Sequence, residues 1–491
     1  MGFDRGRALL PLFLVAGCTV GPNFHSPGPP KVDGYLPAGS PASTPSAPGP
    51  DGAAQHFVRG MAVDGRWWAL FGSPTLDALE DEAIQHNPNL AAAKEALLQA
   101  RELRLAQRAA GFPTIQGSAS AVRQKNSYTI ASPLTSNAQN YTLYAAQLEA
   151  TYVLDIFGGH KRLLEATAAQ EDYQRFQMEA AYLALTSNVA STALQIAGLR
   201  AQIAAANAAV AADRQTWDVT RRMYARGESS SIDVAGAESA VEQAEQGIPA
   251  LQKQVDQLDD QLAILVGRTP AELQRLQLDL ADLRLPPDLP LSVPSELVRQ
   301  RPDVRAAEAS LHVASAQVGV AIAARLPSLS LDGTLGGNST ALGTLFSAGN
   351  SLWSIGGSAS QTLFDAGALR HQQKAAEAAL VQAQEQYRAA VLTAFQNTAD
   401  ALQAIDADAQ TLRHAALARD ATARTAEIAR MQVAKGEKGS LVVLAAEAAD
   451  QQSRQTLVQA RAARYADTVA LLQALGGGWW NNPQASGEAQ P

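Results

Sequence analysis

Cys18, the single cysteine among 491 residues, has surroundings that specify a reaction. It closes the stretch "VAGC", which follows Arg5, Arg7 and the apolar run "ALLPLFLVAG". Basic residues followed by a short apolar run read as a secretory signal peptide over residues 1–17. The run is too short to span a bilayer as a helix, and a lone thiol makes no internal disulfide even though export implies an oxidising compartment. "VAGC" matches the bacterial lipobox, in which the thiol takes up a diacylglyceryl group and the cysteine becomes the new N-terminus. The small side chains of Ala16 and Gly17 let the backbone enter the peptidase cleft, whereas Asp4 is unusual so close to the basic residues. Thr19, in place of an aspartate after the cysteine, sends such an anchor to the outer membrane of a Gram-negative cell. The expected covalent group is therefore lipid on Cys18, palmitate among its chains, with no other cofactor.

The remaining reactive side chains form no comparable pattern. The seven histidines are dispersed, no zinc-type His/Glu pairing or nucleophile elbow occurs, and "GEKGS" lacks both the GK[ST] ending and the preceding strand of a phosphate loop. Neither an enzyme nor a metal site is expected. The net charge of −8, with both signs interspersed, advertises no nucleic-acid surface. What recurs is a backbone feature. "ARGESSSIDVAGAE" (225–238) and "AKGEKGSLVVLAAE" (434–447) each break a long alanine-rich run and then resume an apolar helical pattern. Gly227 and Glu228 match Gly436 and Glu437, and Gly439 adds a second glycine to the later copy. Glycine tolerates the left-handed conformation that a helix reversal needs.

The elements around these breaks are themselves duplicated. "NPNLAAAKEALLQARELRLAQRAAGFP" (87–113) aligns without gaps with "RPDVRAAEASLHVASAQVGVAIAARLP" (301–327), and Gly158 and Gly267 match Gly367 and Gly476. Each copy reads as helix, strand, strand, long helix, turn, long helix. After Gly159 only Gly198 interrupts the run to Arg226, and no glycine or proline falls between Ala368 and Lys435. Such runs make helices of about 100 Å. Phe395, Thr398, Leu402, Ile405, Ala409 and Leu412 recur at three–four spacing, as do Val189, Ala193 and Ile196, which is a coiled-coil seam. Pro249 interrupts the first return helix, while Val458 at the matching position does not interrupt the second.

Residues ~113–125, ~140–157, ~327–337 and ~351–365 alternate instead, apolar on one side and mostly small-polar on the other. A soluble sheet packed on helices would show the same alternation, and the seam alone would suit a bundle without a channel. In an exported, lipidated chain the pattern favours a membrane barrel with a wet lumen. Four strands cannot close one, so copies must join, two giving eight strands and three giving twelve. The remainder divides into a lipidated N-terminus and Pro/Gly/Ser-rich tether (18–65), a first repeat (66–270) entered through Pro74 with Ser73 as N-cap, a connection (271–300), a second repeat (301–476) and a tail (477–491).

Over nearly its whole length the chain resembles the TolC family of outer-membrane efflux channels, in the lipoprotein branch associated with resistance-nodulation-division pumps. The residues that carry the resemblance are "GCTVGPNF", "WWALFGSPTLDALEDEAIQHNPNL", "LDIFGG", "LVGRTP", "VRQRPDVRAAEASL" and "TLFDAGALR". The resemblance implies a mainly α chain with a barrel contribution, assembled as a homotrimer with a twelve-stranded barrel and a periplasmic helical tunnel. It implies passive export of drugs or other small toxic compounds, fed by an inner-membrane pump through a periplasmic adaptor protein. The turns at Gly227, Glu228, Gly436, Glu437 and Gly439 would form the periplasmic tip and meet the adaptor. The family's constriction falls on Leu441, Val442 and Ala445, with Glu447 beside them. Where the family carries aspartates, this chain has Val442 and Ala445, so an apolar constriction is expected. Within the same resemblance a type I protein-secretion conduit is the other transport role, and a coiled-coil lipoprotein scaffold without a pore is the non-transport alternative.

Overall fold

The computed structural model describes residues 19–28, 30, 32, 34–36, 42–129, 132, 134 and 136–481, with the Ser440 side chain left out. The signal peptide, Cys18 and residues 482–491 lie outside the described residues. In chain order the described residues form β1 (His56–Arg59), α1 (Pro74–His86), α2 (Pro88–Ala109), β2 (Thr114–Lys125), β3 (Asn140–Leu154), α3 (Gly159–Ala225), α4 (Ser231–Gln246), α5 (Ile248–Leu265), β4 (Asp288–Leu291), α6 (Pro294–Gln300), α7 (Pro302–Ala323), β5 (Ser328–Ser339), β6 (Ser351–Ser360), α8 (Ala368–Ala434) and α9 (Ser440–Ala474). Two repeats are evident: α2, β2, β3, α3 and the pair α4/α5, then α7, β5, β6, α8 and α9. The first return helix breaks at Gly247, just before Pro249 removes a backbone donor, whereas α9 runs unbroken for 35 residues. Among the described residues no helix is long and apolar enough to cross a membrane.

One compact unit comprises Met1–Ser26, Leu97–Tyr173 and Ala307–Tyr387. Its centre is an antiparallel sheet in the order β2-β3-β5-β6, so β2 and β6 are open edges. Registration sorts the side chains into two faces. One cross-strand row runs Ile115, Ala150, Gly333, Ile355 and the next runs Gly117, Leu148, Leu335, Trp353. On the opposite face the rows run Gln116, Glu149, Thr334, Ser354 and Thr114, Thr151, Asp332, Gly356. The Ser330 and Ser358 hydroxyls on that polar face are 2.9 Å apart. The apolar face is uncovered, with Ile115 73%, Trp353 74% and Ile355 83% exposed.

Carboxylates end the strands and start the long helices. Asp155 accepts from the His160 and Lys161 amides at 3.0 and 2.8 Å, at the positive end of α3. Asp365 does the same for α8, accepting from Gly367 and Leu369 at 2.9 and 2.8 Å. Those amides hold the Asp365 carboxyl below the usual carboxylate range. Gly158 and Gly367 take the left-handed turn between strand and helix, with φ of 76° and 88°.

The second unit comprises Pro27–Ala96, Gln174–Ala306 and Arg388–Pro491. Val189, Ala190, Ala193, Leu194, Ile196 and Ala197 of α3 are buried, as are Thr398, Leu402, Ile405, Ala409 and Leu412 of α8. Eight of the nine residues that the three–four spacing nominates are among them, Phe395 being half-buried, while Ala190, Leu194 and Ala197 join the α3 seam beside the nominated positions. Alanine knobs bring the helices close, and Gly198 marks an extreme: a Cβ there would lie 2.9 Å from the Ala462 Cβ on α9. Gly198→Val is therefore expected to cost about 1–3 kcal/mol through overpacking, checked as a lower thermal midpoint of the assembled protein.

The tether expectation needs correction over its second half. A Pro/Gly-rich stretch makes no core of its own, but residues 42–59 lie on one that exists. β1 pairs in parallel with β4, and Phe57, Leu289 and Leu291 are buried. Asp51 accepts from Arg461 Nε at 2.8 Å and from the Tyr465 hydroxyl at 2.7 Å, while Arg464 donates to the Ala53 carbonyl at 3.2 Å and to Gln55 Oε1 at 2.9 Å. The side chains of α9 supply the partners that this backbone lacks.

Candidate functional site: the helical-hairpin tips

The two hairpin reversals lie in the second unit and are built the same way. At the first, the Gly227 amide donates to Tyr224 and the Glu228 amide to Met223, both at 2.9 Å. At the second, Gly436 donates to Val433 at 3.0 Å and Glu437 to Gln432 at 2.9 Å. This paired closure of the last helical carbonyls requires a left-handed residue, and Gly227 and Gly436 have φ of 77° and 75°. Gly439 plays a different part, since its φ of −79° and ψ of 161° are open to any residue. Glu228 and Glu437 are exposed at the tips, and Glu228 lies 3.6 Å from Arg226.

The helices that leave the two turns differ. Ser230 caps α4 with a complete capping box: its hydroxyl accepts from the Asp233 amide at 3.3 Å, and Asp233 accepts from the Ser230 amide at 3.0 Å. The matching residues of the second copy are Gly439 and Val442. Accordingly α9 begins with no side-chain cap and no acidic residue in its first turn, where the Val442 amide donates to the Gly439 carbonyl at 3.2 Å. Gly439→Ser combined with Val442→Asp is expected to rebuild the box and stabilise the first turn of α9 by about 1 kcal/mol. Slower amide exchange over residues 440–446 would register it, and unchanged exchange would refute it.

The sequence-predicted constriction residues separate onto two faces of α9. Leu441, Val442 and Ala445 are exposed, Leu441 at 59%. Val443 and Ala446 instead pack on Ala426 and Ala429 of α8. Glu447 belongs with this inner set and is 4% exposed. Its Oε1 accepts from Arg430 Nε on α8 at 2.8 Å and its Oε2 from the Thr216 hydroxyl on α3 at 3.0 Å. The structure thus brings the first three together and withdraws Glu447, because a residue four after Val443 returns to the same helix face.

Sequence reasoning missed the polar layer to which Glu447 belongs. One turn farther along α9, Gln451 donates to Asp213 of α3 at 2.9 Å, and Asp450 accepts from Arg454 at 2.8 Å. Burial pushes the Asp213 carboxyl up, the Gln451 hydrogen bond opposes this, and the Glu447 charge adds to it. The available signal was the spacing Val443, Glu447, Asp450, Arg454, which runs polar groups down the seam. Chemically the site offers apolar side chains on its free face and a hydrogen-bonded carboxylate lock behind them.

Comparisons with known proteins agree with this architecture. The family model described as "Outer membrane efflux protein" matches residues 79–268 and 293–477. The chain is 30% identical over 426 residues to the pyoverdine export outer membrane protein OpmQ of Pseudomonas aeruginosa, covering 85% of this chain and 88% of that one. It is 30% identical over 493 residues to the probable efflux pump outer membrane protein TtgC of Pseudomonas putida, covering 97% of each. Among solved structures, the outer-membrane channel OprN superposes with a TM-score of 0.84 at 28% identity, covering 94% of this chain and 100% of that one. Helical tunnel and strand barrel are the architecture of these channels, and the duplicated hairpins and two-faced sheet are this chain's share of it. The chain belongs to the outer membrane efflux protein family, the TolC-type channels through which efflux pumps discharge across the outer membrane.

Proposed function

We propose that three copies of this chain close their sheets edge to edge into a twelve-stranded barrel, lipid-anchored through Cys18, that discharges drugs or other small toxic compounds passively. A periplasmic adaptor docks at the tips around Gly227, Glu228, Gly436, Glu437 and Gly439, and a resistance-nodulation-division pump supplies the energy. The carrying observation is the sheet of the first unit, with one uncovered apolar face, one polar face and open edges at β2 and β6. Lipid tolerates no open edge and water disfavours such an apolar face, so closure among copies in a bilayer satisfies both. Leu441, Val442 and Ala445 furnish an apolar constriction that gates by narrowing and dewetting. The names of the relatives, pyoverdine export and efflux pump components, support small organic cargo.

Planar-bilayer recording of the purified protein tests the channel. Conductance is expected once the tip is loosened, and its complete absence even then would end the reading. Deletion of the gene tests the cargo, with greater susceptibility to small toxic compounds expected and a defect confined to protein secretion pointing to the other conduit class.

A further inference from the structure

The stretch "TVGPNF" after Cys18 has a seat in the first unit. The Val20 amide donates to the Phe157 carbonyl at 3.1 Å, at the corner where β3 hands over to α3. Arg162, in the first turn of α3 and 3% exposed, reaches three groups of the strap. Its Nε donates to the Val20 carbonyl at 3.0 Å, and its Nη2 donates to the Gly21 carbonyl at 3.3 Å and to Asn23 Oδ1 at 2.7 Å. Glu165 accepts from Nη1 at 2.7 Å and lies 3.0 Å from His312 Nε2 on α7. Phe24 stacks on the His312 ring at 4.2 Å and 12°, and the Ser26 hydroxyl donates to Glu308.

The seat is also cut to shape. A Cβ at Gly21, where φ is 88°, would lie 2.5 Å from the Gly319 Cα, and one at Gly319 would lie 2.8 Å from Arg162 Cγ. A Cβ at Gly158 would lie 2.9 Å from the Thr19 Cα. A plain tether needs reach and no seat. Here a buried guanidinium and two tight glycine contacts are committed to the residues that directly follow Cys18, and a third, at Gly319, seats the guanidinium's own side chain. The corner itself lies just beyond Leu154, which pairs with Leu329, itself paired with Ala359, at the helix-side end of the apolar face.

We propose that Thr19–Ser26 is a docking peptide and Arg162 its positioning residue, so that the lipid-bearing N-terminus leaves the body at the β3–α3 corner and its acyl chains start against the helix-side end of the barrel's apolar face. The inference rests on the acylation of Cys18 proposed above. The step from Thr19 to the preceding residue is one Cα–Cα spacing, about 3.8 Å.

A photoactivatable diazirine analogue of palmitate, supplied to growing cells, tests it in the full-length protein. In the wild type, crosslinks are expected on Tyr152–Leu154 and Leu329–Leu331. Gly21→Val, which alters the strap and leaves the body intact, is expected to keep the label on Cys18 and to lower those crosslinks at least about fivefold. Arg162→Ala should do the same and Arg162→Lys only partly, because one ammonium cannot serve all the acceptors that the planar fork reaches. Wild-type crosslinking on those segments that persists in Gly21→Val would overturn the positioning role while leaving acylation standing. A wild-type chain that takes up no label would overturn acylation itself, and the positioning of an anchor with it.

Discussion

Arg430→Ala is expected to make the channel leak. Glu447 is buried and its charge is met by Arg430, half-exposed on α8, and by the Thr216 hydroxyl on α3. Removing the arginine leaves a buried carboxylate with the neutral Thr216 hydroxyl as its partner among the described residues. Breaking a buried pair from one side costs about 3–5 kcal/mol, and the exposure of Arg430 brings the figure here to about 2–3 kcal/mol. If opening breaks the pair and wets Glu447, this free energy is lost from the closed state alone, and since 1.4 kcal/mol is a factor of ten the closed-to-open ratio falls by roughly thirty- to a hundredfold. In planar bilayers Arg430→Ala should open far more often than the parent, and amide exchange should quicken over residues 425–450. Adding Glu447→Leu to that variant should return most of the closed population, because an apolar group needs no partner. Equal leak from the single and double variants would show that the pair does not hold the tip.

The second large effect concerns which ions pass. With Leu441, Val442 and Ala445 on the free face of α9 and Glu447 turned inward, the native constriction should show weak cation selectivity and little block by divalent cations. Val442→Asp with Ala445→Asp should place six carboxylates around the axis of a trimer. Reversal potentials should then shift strongly toward cation preference, and micromolar to millimolar divalent cations should block. Strong divalent block of the native pore would contradict the apolar constriction, whereas no shift in the double variant would show that these side chains do not line it.

The sequence exposes the repeated architecture because its signals are local and redundant. Gly227 and Gly436 are needed at matching reversals, and the strand alternation appears four times over. The register confirms the alternation row by row, down to Ile115 opposite Ala150. The facing of Glu447 stays open in the sequence for the opposite reason. A carboxylate near an expected constriction suggests a pore-lining role, yet its helix phase relative to Val443 puts it on the seam, and its partners lie 17 positions back on α8 and 231 back on α3. No pattern within one helix reveals them. The same holds for residues 42–59, whose composition reads as tether until Arg461, Arg464 and Tyr465 from the far end of the chain meet them. Gly439 shows a finer limit: glycine spelling suggested left-handed backbone, and the residue proved to be an extended N-cap.

The open edges at β2 and β6 have a kinetic consequence. A single chain has no finished state in the bilayer, because the backbone groups along both edges find partners only on other copies. Insertion is then a reaction of higher than first order in chain. Cells that halve the supply of this polypeptide should lose more than half of the rate at which new pores appear, and chains waiting for neighbours make up the pool that periplasmic chaperones and proteases must hold or clear.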